Sequence, residues 1–525
     1  MTLSRRALAR SAAVLAASAM AIALSGCAAS GDAGAAGAAA SDDLVVAVAD
    51  SITNLYPGVE AGVVNYWIAA AAAEGLVTVD ETGALAPALA TSWEQADPTT
   101  YVYEIDPDAH FQDGQPVEVA DILASIEAAR DPEISPSFIT WGSVDTVEQT
   151  GDWEITIRLT QPDAGFAYGP SSSAGLFVFP AEYWQGSVGT ADALPVGTGP
   201  YRITAFTPDS SIEFTRSDQW DGDAVDFDTL TVEIIPDADT RRLAVASGEV
   251  DLSLAVPIQQ LGDWEGADGV EVTVVPNRSY TGIDFDLSVA PFDDKDVRDA
   301  IAYSFDRESV VEKVLGGHAE VATSLLTPEQ LESVYSKDEA RARLAELPTY
   351  GFDLKKAAAA LAASDSPDGF TAELVYPDSI SELGLSAELL KQNLAEIGIT
   401  LETRSVTMSE WFSTMGDREH GIGFMSYSST TADPGELSSW FLGAENPASL
   451  ASADIDAAMS AARASTSQEE QVTHLIEANR LQNEANAYAP LWWGEQAIAT
   501  DGTVGFDTFT SFVLYGTWPT QLHRK

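Results

Sequence analysis

A single cysteine, Cys27, in 525 residues rules out an internal disulfide and, alone, a cysteine-rich metal site. Whatever this chain folds into is therefore held by noncovalent packing. A chain this long can bury a large core and is expected to divide into two or more lobes. The formal net charge of −55 raises the alternative of a disordered acidic protein. The 45% hydrophobic content, with 12 Trp, 15 Tyr and 19 Phe, argues instead for a packed globular chain.

The position of Cys27 predicts a use for it. Arg5, Arg6 and Arg10 form a basic region, Ala12 to Leu24 is an apolar run, and Ser25 and Gly26 are small residues at a cleavage point. Leu24-Ser25-Gly26-Cys27 resembles a lipobox, in which the thiol is acylated and cleavage leaves Cys27 first. Residues 1–26 are thus expected to be a lipoprotein signal peptide, and residues 27–41, rich in Gly, Ala and Ser, a flexible tether. Ser4-Arg5-Arg6-Ala7-Leu8 resembles in part a twin-arginine export motif, which leaves the export route open. The predicted location is the outer face of the cell membrane, held by lipid on Cys27.

The leader carries three arginines and no acid, so without it the formal charge of −55 becomes −58. Such a field disfavours nucleic acid and anionic lipid as partners. The P-loop pattern, the Gly-x-Ser-x-Gly elbow and His-Glu-x-x-His are all absent, and five scattered histidines form no metal-ligand spacing. No catalytic residue, metal site or cofactor is predicted.

Along the body, strand-like and helix-like stretches alternate. Asp43 to Ala49 reads as a buried strand. An alanine-rich helix is predicted through Glu74, ended by Gly75. Tyr101–Ile105 and Trp153–Leu159 alternate as half-exposed strands. Asp294 and Asp306 are predicted N-caps of a helix pair stopped by Gly316-Gly317. Leu389, Leu390, Leu394 and Ile397 form a helical stripe ended by Gly398, and Ile399 begins a strand. A further helix is predicted from Gln468 to Tyr488, stopped before Pro490. The pattern is that of a mixed α/β protein.

Several ordered motifs then resemble one family. Leu85–Glu94 is similar to "P-x-L-A-x-S-W", His110–Val117 to an "F-x-D-G-x-P" turn followed by Ala120-Asp121-Ile122, and Gly197-Thr198-Gly199-Pro200-Tyr201 to "G-T-G-P-Y". Ser247–Asp251 matches "S-G-E-V-D", and Val297–Ile301 with Phe305-Asp306-Arg307 matches "V-R-x-A-I … D-R". On these motifs the chain resembles the extracellular solute-binding proteins of family 5, the peptide/nickel class serving ABC importers. The resemblance implies an α/β, two-lobed fold of the periplasmic-binding-protein type II kind, with mixed sheets, a hinge and an extra subdomain in the first lobe. The first lobe would be 42–280 plus 496–525, including the subdomain at about 91–194, and the second 281–495. It also implies a monomer that takes a peptide or similar small solute, with ABC permease subunits and the ATPase on separate chains.

The resemblance further implies ligand contacts. Thr431-Ala432-Asp433-Pro434-Gly435 matches a "D-P" stretch whose aspartate meets a peptide ammonium, so Asp433 is the first candidate. Tyr427, Trp411 and Trp440 flank it as aromatic walls, and Tyr56 and Trp67 follow the first strand, where such clefts are often lined. The segment Tyr376–Glu382 lacks the arginine that dipeptide binders use for the ligand carboxylate. That departure favours oligopeptides over dipeptides; an oligosaccharide or metal-chelate receptor, or a surface enzyme or chaperone, is the competing expectation.

Overall fold

The computed structural model describes residues 42–56, 62–135, 138, 140–186, 188–378, 380–407, 410, 411, 414, 420–444 and 446–525. Residues 1–41, on which the expected signal peptide, tether and lipid-bearing Cys27 fall, lie outside the described residues. Among the described residues no helix is long and apolar enough to cross a membrane.

The first strand, Asp43–Val48, lies between Thr229–Ile234 and Leu252–Ser253, parallel to both. Leu44, Val46 and Val48 bury against Trp67, Ile68 and Leu230 in one apolar cluster, and Ala47 joins a second on the other face. A strand buried on both faces reads as a continuous apolar run, as this one does. Among the described residues it belongs to an eleven-stranded sheet. In order, ten of its strands are Thr400–Val406, Thr371–Pro377, Ile422–Ser428, Glu271–Phe285, Tyr488–Thr500, Leu252–Ser253, Asp43–Val48, Thr229–Ile234, Ser211–Arg216 and Tyr201–Thr207. Ala319–Val321 pairs with Tyr488–Thr500 off this path.

Two long antiparallel strands, Glu271–Phe285 and Tyr488–Thr500, run through the centre and into both lobes. Their register shifts between Pro276 and Tyr280, and again between Thr281 and Gly282. The fold is thus mixed α/β and two-lobed, each lobe with its own apolar clusters. A separate antiparallel sheet, ordered Ala90–Asp97, Thr100–Ile105, Glu154–Leu159 and Val144–Gly151, packs with helix Val119–Arg130 around Tyr103, Ile122, Ile155 and Ile157 as the extra subdomain.

Local chemistry explains the element ends. Asp294 and Asp306 cap as their sequence predicts: their Oδ1 atoms accept from Asp296 N at 2.9 Å and Ser309 N at 3.1 Å. Two helix ends differ from expectation. The alanine-rich helix covers Val63–Ala72, short of Glu74. The Ala72 carbonyl is taken by Gly199 N at 3.0 Å and Gln112 Nε2 at 2.8 Å, and Ala73 turns extended. This close approach is what the Gly-Thr-Gly motif serves, since a Cβ on Gly197 would stand 2.3 Å from Ala72 O. The later helix covers Gln468–Ala485 rather than reaching Tyr488, because Asn486 adopts a left-handed conformation (φ 50°). Tyr488 instead opens the long strand, its N–H donating to Gln482 Oε1 at 3.0 Å.

Arg298 is buried and donates to four carbonyls: Phe292, Asp293, Ala485 and Asn486, at 2.7–3.0 Å. It therefore ties the turn that opens its own helix to the end of Gln468–Ala485.

Candidate functional site

The turn Ser429–Gly435 leaves strand Ile422–Ser428 and enters helix Glu436–Leu442, at the contact between the lobes. Asp433 stands on it, half-buried. Its Oδ1 accepts from Gly435 N at 3.0 Å, closing an Asx turn, and from Gln471 Nε2 at 2.9 Å. Its Oδ2 faces the subdomain, where Gly165 leaves room for it. Burial raises the carboxyl to about 6, Gly435 N–H opposes that rise, and the nearby carboxylate of Asp163 adds to it. Beside this contact the Ala164 N–H donates to Arg463 O at 2.9 Å across the interface. A cavity of about 320 Å³ opens here, walled by Asp97, Tyr101, Asp163 and Tyr168 on one side and Asp433, Ser467 and Gln471 on the other.

Glu436 is a second interface carboxylate. It accepts from the backbone N–H groups of Thr430 and Thr431, both at 2.9 Å, and from Thr431 Oγ1 at 2.5 Å. Burial pushes its carboxyl pKa up from the usual carboxylate value, against the pull of those donors and of Arg278. Tyr427, from the strand before the turn, lies with its ring 5.4 Å from Trp440 and 6.2 Å from Phe441. Burial pushes its hydroxyl well up, with Glu436, Tyr66 and Tyr515 adding to the effect. Tyr66 and Trp67 come from helix Val63–Ala72, and the Trp67 ring is 6.4 Å from Tyr515.

The cation of this region is Arg278, on the long strand at its register shift. It is 1% exposed. Nη1 donates to Ser511 Oγ at 2.6 Å and Nη2 to Ser429 O at 3.0 Å. The guanidinium lies 3.3 Å from the Phe512 ring centroid. Burial lowers it to about 10, with Tyr515 and Glu436 pulling the other way.

The structure thus places Asp433, Tyr427, Trp440 and Trp67 around the lobe contact, Trp440 being 37% exposed. Trp411 and Tyr56 have other surroundings. Trp411 is 4% exposed within the second lobe's core with Val406 and Met425. Tyr56 is 2% exposed and edge-on to Phe179 and Trp184. Both rings are committed to packing. Sequence reasoning missed Glu436, Arg278, Tyr66, Tyr168 and Tyr515. Only Glu436, three residues past Asp433, carried a local signal, as an acid at the first position of a helix.

Among the described residues no group of three or more His, Cys, Asp or Glu is arranged to hold a metal ion. The region offers the carboxylates of Asp433, Glu436, Asp163 and Asp97, the guanidinium of Arg278 and several aromatic faces, an arrangement that can bind and enclose a polar organic solute.

Comparison with known proteins agrees with this geometry. A model of the bacterial extracellular solute-binding proteins, family 5 Middle, matches residues 84–449. The glutathione-binding protein GsiB of Pectobacterium atrosepticum is 24% identical over 405 residues, 76% of each chain. Two solved structures superpose with a TM-score of 0.81. One is the binding protein AgaA from A. tumefacien R10 with agropinic acid, 22% identical, covering 92% of this chain and 99% of that one. The other is DppA from Helicobacter pylori with the peptide STSA, 20% identical, covering 92% and 98%.

Proposed function

Because this chain belongs to the bacterial extracellular solute-binding proteins of family 5, the substrate-binding components of ABC importers, we propose that the solute it captures between its lobes is a peptide, and an oligopeptide in particular. Its relatives and fold neighbours are solute-binding proteins rather than enzymes. The observation that carries the peptide reading is Asp433. A half-buried carboxylate at the lobe contact, raised to about 6, gains most from a cationic partner removed from water with it. A peptide α-ammonium supplies such a partner. Tyr427, Trp440, Tyr66 and Trp67 would then form aromatic walls for ligand side chains.

The same reading assigns lobe boundaries near 280/281 and 495/496, close to the register shift at Pro276–Tyr280. The delivery partners are ABC permease and ATPase chains, and the anchor is lipid on Cys27. The segment Tyr376–Glu382 offers no arginine for a ligand carboxylate, which supports a longer peptide held through its backbone.

Native mass spectrometry of protein purified from peptide-rich medium tests this. Retained peptides of mixed sequence support the reading; a single sugar or metal complex overturns it. Asp433→Ala should weaken capture of peptides with free N-termini and spare acetylated ones, and equal loss for both would remove Asp433 as the ammonium contact.

A further inference from the structure

Arg278 is connected to both sides of the lobe contact at once. On one side its guanidinium stacks on Phe512, and Nη1 donates to Ser511 Oγ at 2.6 Å. Phe512 is itself sandwiched, for its ring fills the space a Cβ on Gly83 would occupy, at 2.4 Å. The same segment continues to Tyr515, which neighbours Trp67. On the other side Nη2 donates to Ser429 O at 3.0 Å, and Ser429 N–H donates back to Arg278 O at 2.9 Å. Ser429 is fully buried and receives Gln330 Nε2 on its hydroxyl at 3.1 Å. It begins the turn that carries Thr430, Thr431 and Asp433 and ends at Glu436.

A guanidinium buried this deeply costs several kcal/mol of hydration. Its hydrogen bonds go to a hydroxyl and a carbonyl, and no carboxylate lies within ion-pair distance of it among the described residues. A planar fork that stacks and bonds in two directions is a geometry lysine does not reproduce. It sits at a register shift of a long central strand, the kind of irregular position that can absorb a hinge motion. Separating the lobes would break either the Ser511–Phe512 contacts or the Ser429 contacts, leaving the charge buried with fewer partners.

We propose that Arg278 is a positioning residue that couples the ligand-facing turn Ser429–Glu436 to the segment Ser511–Tyr515, so that capture of solute and closure of the lobes occur together. The inference rests on the reading above that solute is held between the lobes. It predicts that loss of the fork loosens closure and capture together, without unfolding either lobe.

The test uses Arg278→Lys, which keeps a charge, and Phe512→Leu, which removes only the stacking face. Small-angle scattering of ligand-free protein gives the radius of gyration, and native mass spectrometry after exposure to a casein digest gives peptide retention. Both variants should show a larger radius than wild type and at least a tenfold loss of retained peptide, at unchanged circular dichroism. Wild-type values in both measurements overturn the proposal. A change in one measurement alone also overturns it, since coupling requires both. If wild-type protein itself retains no peptide, the peptide reading falls, and the ligand-free radius alone decides the role of Arg278.

Discussion

Gly165 and Asp433 meet across the lobe interface so closely that a Cβ on the glycine would stand 2.5 Å from Asp433 Oδ2. Gly165 has φ −81° and ψ −17°, a conformation open to any residue, so the constraint is space rather than backbone freedom. Gly165→Ala should therefore fold normally yet wedge the interface. Overpacking of about 1–3 kcal/mol corresponds to roughly a five- to 150-fold loss of affinity. Calorimetry with a peptide that co-purifies with wild type measures it; an unchanged Kd would show that the lobes need not approach this far.

A pH-dependent effect follows from Glu74. Burial raises its carboxyl to about 7, and the carboxylates of Asp221 and Asp106 add to the rise. A carboxyl raised on folding contributes stability below its unfolded value, near 4.5, and loses that contribution as pH rises through about 7. Glu74→Gln should raise the thermal midpoint over wild type at pH 8 and leave it nearly unchanged at pH 4. Equal shifts at both pH values would place the effect elsewhere.

Arg298 offers a stability test away from the ligand region. Its donors hold four carbonyls at the junction of two helices. Arg298→Met leaves those buried acceptors short of donors, at a cost of about 3–5 kcal/mol. Urea unfolding should show the midpoint falling with an unchanged slope.

Cys27 gives a cellular prediction. Cys27→Ser removes the thiol that would carry lipid, so the protein should move from the membrane fraction to the soluble extracytoplasmic fraction. Retention in the membrane fraction would rule out Cys27 as the anchor.

These predictions draw unequally on the sequence. The caps Asp294 and Asp306 were legible because capping depends on residues two or three apart. The Gly197–Tyr201 motif was legible as a motif, but the reason for its glycines was not, because the partner is Ala72, over a hundred residues earlier. The helix end at Ala72 was misread for the same cause, since Gln112 and Gly199 supply competing hydrogen bonds that local periodicity does not carry; the end at Ala485 was misread because Asn486 turns left-handed inside an apolar stripe that runs on. Around the lobe contact, Asp433 stood out through its motif, whereas Arg278 and Tyr515 are joined to it only by the crossing strand and the returning C-terminal segment. Trp411 and Tyr56 show the converse, since an aromatic residue beside a motif reads alike whether it faces a cleft or a core.

The two long central strands also bear on how the molecule is made. Glu271–Phe285 and Tyr488–Thr500 pair over some two hundred intervening residues, and both lobes build their sheets outward from them. Contacts of such long sequence separation form slowly, because loop closure precedes the reward of packing. A nascent chain therefore lacks the middle of either lobe until the segment from Tyr488 onward has emerged. The pairing of these two strands thus makes the sheet one of the last parts of the molecule that can be completed.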